Sequence, residues 1–231
     1  MNYLLIWDID GTLIRTKGVG KRAMNAAFYK LFGIKDGFGP INMAGMLDAV
    51  IVRKAFEIHN IPVVLPDGRE NADIKRFYEL YIEALSAEIS MIHGSVACPG
   101  ILELLKTLHR QDTFHNVLGT GNIEAGARLK LSVDDMNRYF PTGSFGDRQI
   151  ERYQLIEEAI INSEKYFKIN FQRDKIFVIG DTPKDVECGN KLGIKSIGVA
   201  TGSYNKEQLS EHGADYVFDN LSDITGFLEI F

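Results

Sequence analysis

The sequence predicts an α/β fold: a Rossmann-like parallel sheet core in three α/β/α layers, with an all-helical domain inserted into it. Three observations carry this prediction. A short apolar run, Tyr3 to Trp7, stops abruptly at Asp8-Ile9-Asp10-Gly11-Thr12-Leu13. Strand and helix patterns alternate from Pro99 onward. Between the two, roughly from Gly18 to Ile92, apolar residues recur only at helical spacing.

Taken in order, the first run has the composition of a strand buried on both faces. Ala23, Ala26, Ala27, Phe28, Leu31 and Phe32 then share one helical face, and Ile51, Ala55 and Ile58 mark a second helix. Ile74, Phe77, Tyr78, Tyr81, Leu85 and Ile89 form a longer apolar stripe, expected to be core of the insert. Gly33, Gly37, Gly39, Pro40 and the stretch 62–68 separate these helices. Pro99-Gly100 opens the next helix, since proline suits a first helical position. A strand over 116–119 and helices over about 123–131 and 152–167 follow. Then come a strand over 175–179, a helix over 183–192, a strand over 195–199, and a short strand over 216–218 before a C-terminal helix. This order assigns residues 1–15 and 96–231 to the sheet core and residues 16–95 to the insert, with hinges near 14–19 and 94–99. An insert in a loop at the sheet's C-terminal edge would stand directly above Asp8 and Asp10.

The chain has 231 residues, 45% hydrophobic and 25% charged, enough for a large domain with a smaller companion. A net charge of −5 argues against nucleic acid or an anionic membrane as partner, because both ask for a basic surface. Cys98 and Cys188 show no paired spacing and read as reduced thiols, which together with the absence of a leader predicts a cytoplasmic protein. No run approaches a membrane span. The five histidines are scattered and carry no assigned chemistry. A monomer or homodimer acting on a small molecule is expected.

Four places carry chemistry. Asp8 and Asp10, two residues apart at a strand's end, bring like charges close, which costs energy unless a cation or a proton intervenes. Gly180-Asp181-Thr182-Pro183-Lys184-Asp185 follows a second apolar strand and would bring Asp181 and Asp185 to the same sheet edge. Together these acids form an oxygen-rich cage suited to Mg²⁺. Leu118-Gly119-Thr120-Gly121-Asn122 ends a third strand, where the Thr120 hydroxyl and the N–H of Gly121 suit an anionic oxygen. Arg152 opens a helix, where a cation opposes the helix dipole and needs an anion beside it, with Arg148 as the competing cation.

In this order the four motifs resemble the haloacid dehalogenase superfamily of phosphohydrolases. The insert, through Gly18-Val-Gly-Lys-Arg-Ala-Met-Asn-Ala-Ala-Phe28 and Ala44-Gly-Met-Leu-Asp48, looks like the helical cap of the subfamily that includes phosphoglycolate phosphatase and β-phosphoglucomutase. The resemblance implies that Asp8 is the nucleophile and Asp10 the general acid and base. It implies that Thr120, Gly121 and Arg152 hold the phosphate. Asp8, the backbone carbonyl of Asp10, and Asp181 would hold Mg²⁺, with Asp185 touching the ion or bracing a ligand. The third motif is usually lysine in that family, and here it is arginine, which keeps the charge and adds a bidentate fork.

The resemblance thus implies an Mg²⁺-dependent phosphatase of small phosphorylated metabolites, of the phosphoglycolate or sugar-phosphate type. A phosphomutase or pyrophosphatase on the same scaffold is the first alternative. A receiver-like phospho-acceptor domain is the second, although such a domain has no helical insert of this size. Lys17, Lys21, Arg22 and Asp48 are the candidates for reading the leaving group.

Overall fold

The computed structural model describes residues 1–65, 68–148 and 151–231. Strand β1 is Tyr3–Trp7, and every one of its residues is buried. Three helices follow: α1 (Val19–Phe32), α2 (Asp48–Ile58) and α3 (Ala72–Ser90). The rest alternates as α4 (Ile101–His109), β2 (Phe114–Gly119), α5 (Glu124–Ser132), β3 (Gly143–Ser144), α6 (Arg152–Phe167), β4 (Ile176–Gly180), α7 (Pro183–Leu192), β5 (Lys195–Val199), α8 (Lys206–Glu211), β6 (Tyr216–Phe218) and α9 (Ile224–Leu228).

All six strands join one sheet in the order β3-β2-β1-β4-β5-β6, and each pairing is parallel. The α/β fold expected from the sequence is therefore present. Alternation along β1 explains its continuous hydrophobicity. Tyr3, Leu5 and Trp7 join the core that contains α4 and α9, while Leu4 and Ile6 join the opposite core beneath α6 and α7. Trp7 is fully buried, stacks on Phe227 and donates its indole N–H to Asn116 Oδ1 at 2.9 Å. The chain builds outward from β1 to β3 and then returns to the other side as β4. That reversal opens a crevice outside the carboxyl ends of β1 and β4, where ligands bind in sheets of this kind.

Helices α1 to α3 share a separate hydrophobic cluster. Phe28 is its hub, meeting Phe32, Phe38, Phe56 and Phe77 edge to face, with centroids 4.8 to 6.2 Å away. The two crossings between this cluster and the sheet lie side by side: Arg15 N–H donates to Val96 O at 2.7 Å and Cys98 N–H to Leu13 O at 2.9 Å. A third tie is the start of α2, where Asp48 N–H donates to Gly121 O at 2.7 Å and Ala49 N–H to Gly146 O at 3.0 Å. Gly121 permits this approach, since a Cβ there would stand 2.2 Å from the carbonyl oxygen of Met46.

Two elements lie outside what periodicity reveals. Strand β3 has only two residues, Gly143 and Ser144, and α8 has six in a polar stretch. Among the described residues, no helix is long and apolar enough to cross a membrane.

Candidate active site

Asp8 leaves the end of β1, and its N–H is anchored on Ile179 O of β4 at 2.9 Å. Asp181 follows β4 directly. Asp185 sits in the first turn of α7, where Pro183 starts the helix and Thr182 and Asp185 cap it reciprocally. These local choices bring one carboxylate oxygen each of Asp8, Asp181 and Asp185 within 4.8 Å of one another, all buried.

Arg152, the first residue of α6, reaches into this cluster. Its Nη2 lies 3.0 Å from Asp8 Oδ1 and 2.6 Å from Asp185 Oδ1. Asp185 Oδ2 accepts from the Thr182 N–H at 3.2 Å and its hydroxyl at 2.7 Å. Both oxygens of Asp185 are thus engaged, so its part is to brace Arg152 and close the turn. Arg148 pairs with Glu158 on the surface instead.

Asp181 is different. Among the described residues it is ion-paired with no cation, and its side chain accepts a long contact from the Thr12 hydroxyl, at 3.4 Å. Two glycines wrap it: a Cβ would stand 2.3 Å from Asp181 Oδ2 if built on Gly11 and 1.6 Å if built on Gly202. Gly11 also takes φ +89°, a conformation open to glycine. Three carboxylates therefore face one guanidinium, and the electrostatics show the surplus. Burial, with the Asp8 and Asp185 charges added, pushes the Asp181 carboxyl up to about 8. Burial raises Asp8 to about 6, against the lowering pull of Arg152. The two acids hold Arg152 charged, above its ordinary value, against its burial.

Asp10 departs from the expectation that its side chain crowds Asp8. Its carboxylate is absent from the three-acid cluster. Lys130 of α5 donates to Asp10 Oδ2 at 2.6 Å and to Asn122 Oδ1 at 2.6 Å, and Asn122 Nδ2 donates to the same Asp10 oxygen at 2.8 Å. Thr120 is fully buried, and its hydroxyl accepts from Asn122 Nδ2 at 2.9 Å. Gly121 and Asn122, rather than Thr120, represent the end of β2 in the wall of the cavity.

That cavity, about 770 Å³, joins Asp8, Asp10, Asp181 and Arg152 to the inner side of the helical insert. Lys17, Lys21 and Asp48 line it. Arg22 does not; it pairs with Glu88 at 2.7 Å on the surface. Asp48 is buried, accepts from Ile123 N–H at 2.9 Å, and is raised to about 7, chiefly by burial. Lys130, Asn122 and Thr12 are site residues that the motif reading left unassigned. Lys130 carried a signal: with Ala127 and Leu131 it falls on the buried face of α5, where an unpaired lysine is unfavourable.

Replacing Arg152 with methionine leaves Asp8 and Asp185 buried without their cation. A loss of about 3–5 kcal/mol is expected, as for other broken buried pairs. The loss should grow as pH rises and the stranded carboxyls ionise. Urea unfolding measures it, and a variant within about 0.5 kcal/mol of the parent would show that Arg152 does not hold the cluster together.

Known proteins resemble this chain in three ways. A model of HAD-hydrolase-like proteins matches residues 147–224, the segment that carries Arg152, Asp181 and Asp185. A D-glycero-D-manno-heptose-1,7-bisphosphate 7-phosphatase from Chlorobaculum tepidum is 37% identical over 89 residues, which are 36% of this chain and 43% of that protein. The chain thus spans less than half the length of that relative. The pyrophosphatase PpaX of Listeria monocytogenes is 21% identical over 95% of this chain and 93% of its own. Among solved structures, a β-phosphoglucomutase from Clostridium difficile superposes with a TM-score of 0.72 and 18% identity, covering 100% of this chain and 97% of that one. The structural likeness speaks for the fold.

Proposed function

We propose, from the premise that this chain is a haloacid dehalogenase-like hydrolase, that it cleaves the phosphate ester of a small metabolite through an aspartyl-phosphate on Asp8. One observation carries the reading: buried carboxylates from two adjacent strand ends converge around one arginine, in the wall of a cavity of about 770 Å³.

Arg152 fixes Asp8 Oδ1 and leaves Oδ2 as the attacking atom. Attack on phosphorus forms the acyl phosphate and breaks the bond to the ester oxygen. Asp10, held at the cavity wall by Lys130 and Asn122, gives that oxygen its proton. Asp10 then takes a proton from water as the water attacks phosphorus, which frees phosphate and restores Asp8. Splitting one displacement into two is the advantage of a carboxylate nucleophile.

The cluster fits a divalent cation of hard character. Its donors are all carboxylate oxygens, and among the described residues Asp181 is ion-paired with no cation. Asp8 and Asp181, with the backbone carbonyl of Asp10, would hold Mg²⁺, and Asp185 would act through Arg152. When bound, the ion neutralises phosphoryl charge. Gly121 and Asn122 would meet the phosphate oxygens, with Thr120 supporting Asn122. Residues 16–95 would act as a cap that excludes water and reads the leaving group.

A consequence can be measured without a substrate. Asp8, Asp48 and Asp181 are raised from 3.8 to about 6, 7 and 8. The folded state therefore keeps protons that the unfolded chain has lost. Stability is full below pH 4 on this account and is lost as pH climbs to about 8. Mg²⁺ should replace the protons on Asp8 and Asp181, while Asp48 lies outside the cation cluster. The melting temperature should rise with Mg²⁺ at about pH 8 and barely move at about pH 5. Equal shifts at both values, or none, would contradict the cation site.

The reaction is tested by a turnover panel of phosphorylated metabolites with Mg²⁺, including pyrophosphate and hexose 1-phosphates. Phosphate release from monoesters is expected. Release from pyrophosphate alone, or isomerised sugar without free phosphate, would replace this reading with the pyrophosphatase or mutase one.

A further inference from the structure

The loop after β5 enters the wall of the catalytic cavity through Thr201, Gly202 and Ser203. The phosphoryl-transfer steps use none of the three. Both ends of the loop are fixed. Ala200 N–H donates to Phe218 O of β6 at 2.8 Å, and Asn205 Oδ1 accepts from Gln208 N–H of α8 at 2.9 Å. Strand β5 pairs with β4, Gly198 opposite Gly180, so the loop lies beside the one that carries Asp181.

Thr201 is a buried polar residue, 3% exposed. Its hydroxyl donates to the Gly11 carbonyl at 2.5 Å. The Cys98 thiol lies 3.7 Å from the same oxygen and is a weak donor. Gly11 stands at φ +89° in the turn that follows Asp10. A glycine has no side chain to restrain its dihedral angles, so hydrogen bonds of the flanking peptides must hold them. Two do so. The Gly11 N–H donates to Ile14 O at 2.8 Å, which pins the planar peptide whose carbonyl belongs to Asp10. Thr201 pins the next peptide. Thr12 follows, fully buried, and its hydroxyl reaches Asp181 Oδ1 at 3.4 Å. Gly202 closes over the other oxygen of that carboxylate, where a Cβ would stand 1.6 Å from Oδ2 and 2.5 Å from Cγ. One dipeptide, Thr201-Gly202, thus bears on both the turn after Asp10 and the carboxylate of Asp181.

We infer that Thr201 is a positioning residue for the divalent cation: its hydroxyl clamps the Gly11 turn, with Gly202 seated on Asp181, and so sets the Asp10 carbonyl and the Asp181 carboxylate before the ion arrives. The inference rests on the cation reading of Asp8, Asp10 and Asp181, and it adds a residue 190 positions from the turn that it holds. Groups behind a metal ligand commonly govern affinity for the ion by about 10–100-fold.

Mg²⁺ titrations followed by melting temperature at about pH 8 test it without a substrate. Thr201→Val keeps the shape of the side chain and removes the donor. The Mg²⁺ concentration that gives half of the full melting shift should rise about tenfold or more in that variant. Thr201→Ser keeps the donor and should stay within about twofold of the parent. Gly202→Ala keeps the hydroxyl, drives a methyl group into Asp181, and should weaken the response at least as much as valine does. Metal-free melting curves, taken alongside, separate a loosened fold from a weakened site. A lower metal-free melting temperature with a parental Mg²⁺ response in Thr201→Val would show that the hydroxyl only staples the loop, and would overturn the inference. So would a Thr201→Ser response as weak as that of valine. Should Thr201→Val fail to fold, Gly202→Ala decides, and a parental response there overturns the inference. A parent protein with no Mg²⁺ shift removes the cation reading itself, and this part with it. A parent that shifts, beside a Thr201→Val variant that shifts equally, removes only the part given to Thr201, so the two failures are distinct.

Discussion

Asp8→Asn is expected to lower phosphate release by at least about 10⁴-fold, the scale on which loss of a nucleophile is felt. An amide is close in shape to the carboxylate and cannot attack phosphorus. The fold should tolerate the change. Asp8 is a buried acid whose carboxyl is raised to about 6, so ionising it at neutral pH already costs the folded state. Arg152 keeps its closer partner, Asp185 Oδ1, at 2.6 Å. A melting curve near that of the parent, beside lost turnover, is the expected pair of results. Appreciable hydrolysis by a folded variant would remove Asp8 from the role of nucleophile.

Asp10→Asn is expected to slow the cleavage of alkyl phosphates by about 10²–10⁴, the usual worth of general acid–base catalysis. The effect should depend on the leaving group. A nitrophenolate departs without help from a proton, so kcat/KM for a nitrophenyl ester, which reports the first transfer, should fall much less. The amide can still accept from Lys130, and Asn122 Oδ1 continues to hold that lysine at 2.6 Å, so the wall stays in place. Equal losses for good and poor leaving groups would mean that Asp10 supports the site without moving a proton.

The fold was largely legible because its elements bury faces. The stripes of α1 and α3 and the unbroken run of β1 are what a helix with one apolar face and a strand with two must show. Helix α6 could be placed at Arg152–Phe167 and α7 at Pro183–Leu192, since proline and a capping threonine mark the latter's start. Strand β3 was not legible: two residues carry no period, and it is held by its neighbour β2. Short polar α8 gave equally little.

The site was legible where sequence proximity to a strand end decides it. Asp8 and Asp181 follow β1 and β4, and adjacent parallel strands bring them together. It was not legible where side chains from distant helices arrive by rotation. Lys130 meets Asp10 from 120 residues away because α5 turns one lysine inward. The choice between Arg148 and Arg152 likewise depended on which one enters the crevice, and Arg152 at the first position of α6 does. Tyr81 was readable as core of the insert; its unpartnered hydroxyl at the cavity wall was not.

The central claim is that phosphorus passes through the first acid of the chain. Acid quenching during turnover with Mg²⁺, followed by peptide mapping, addresses it most directly. One phosphoryl group is predicted on the peptide that contains Asp8, and at no other residue. Phosphoryl transfer to water with an unmodified Asp8 peptide at every time point, or a phosphoryl group mapped elsewhere, would contradict the account.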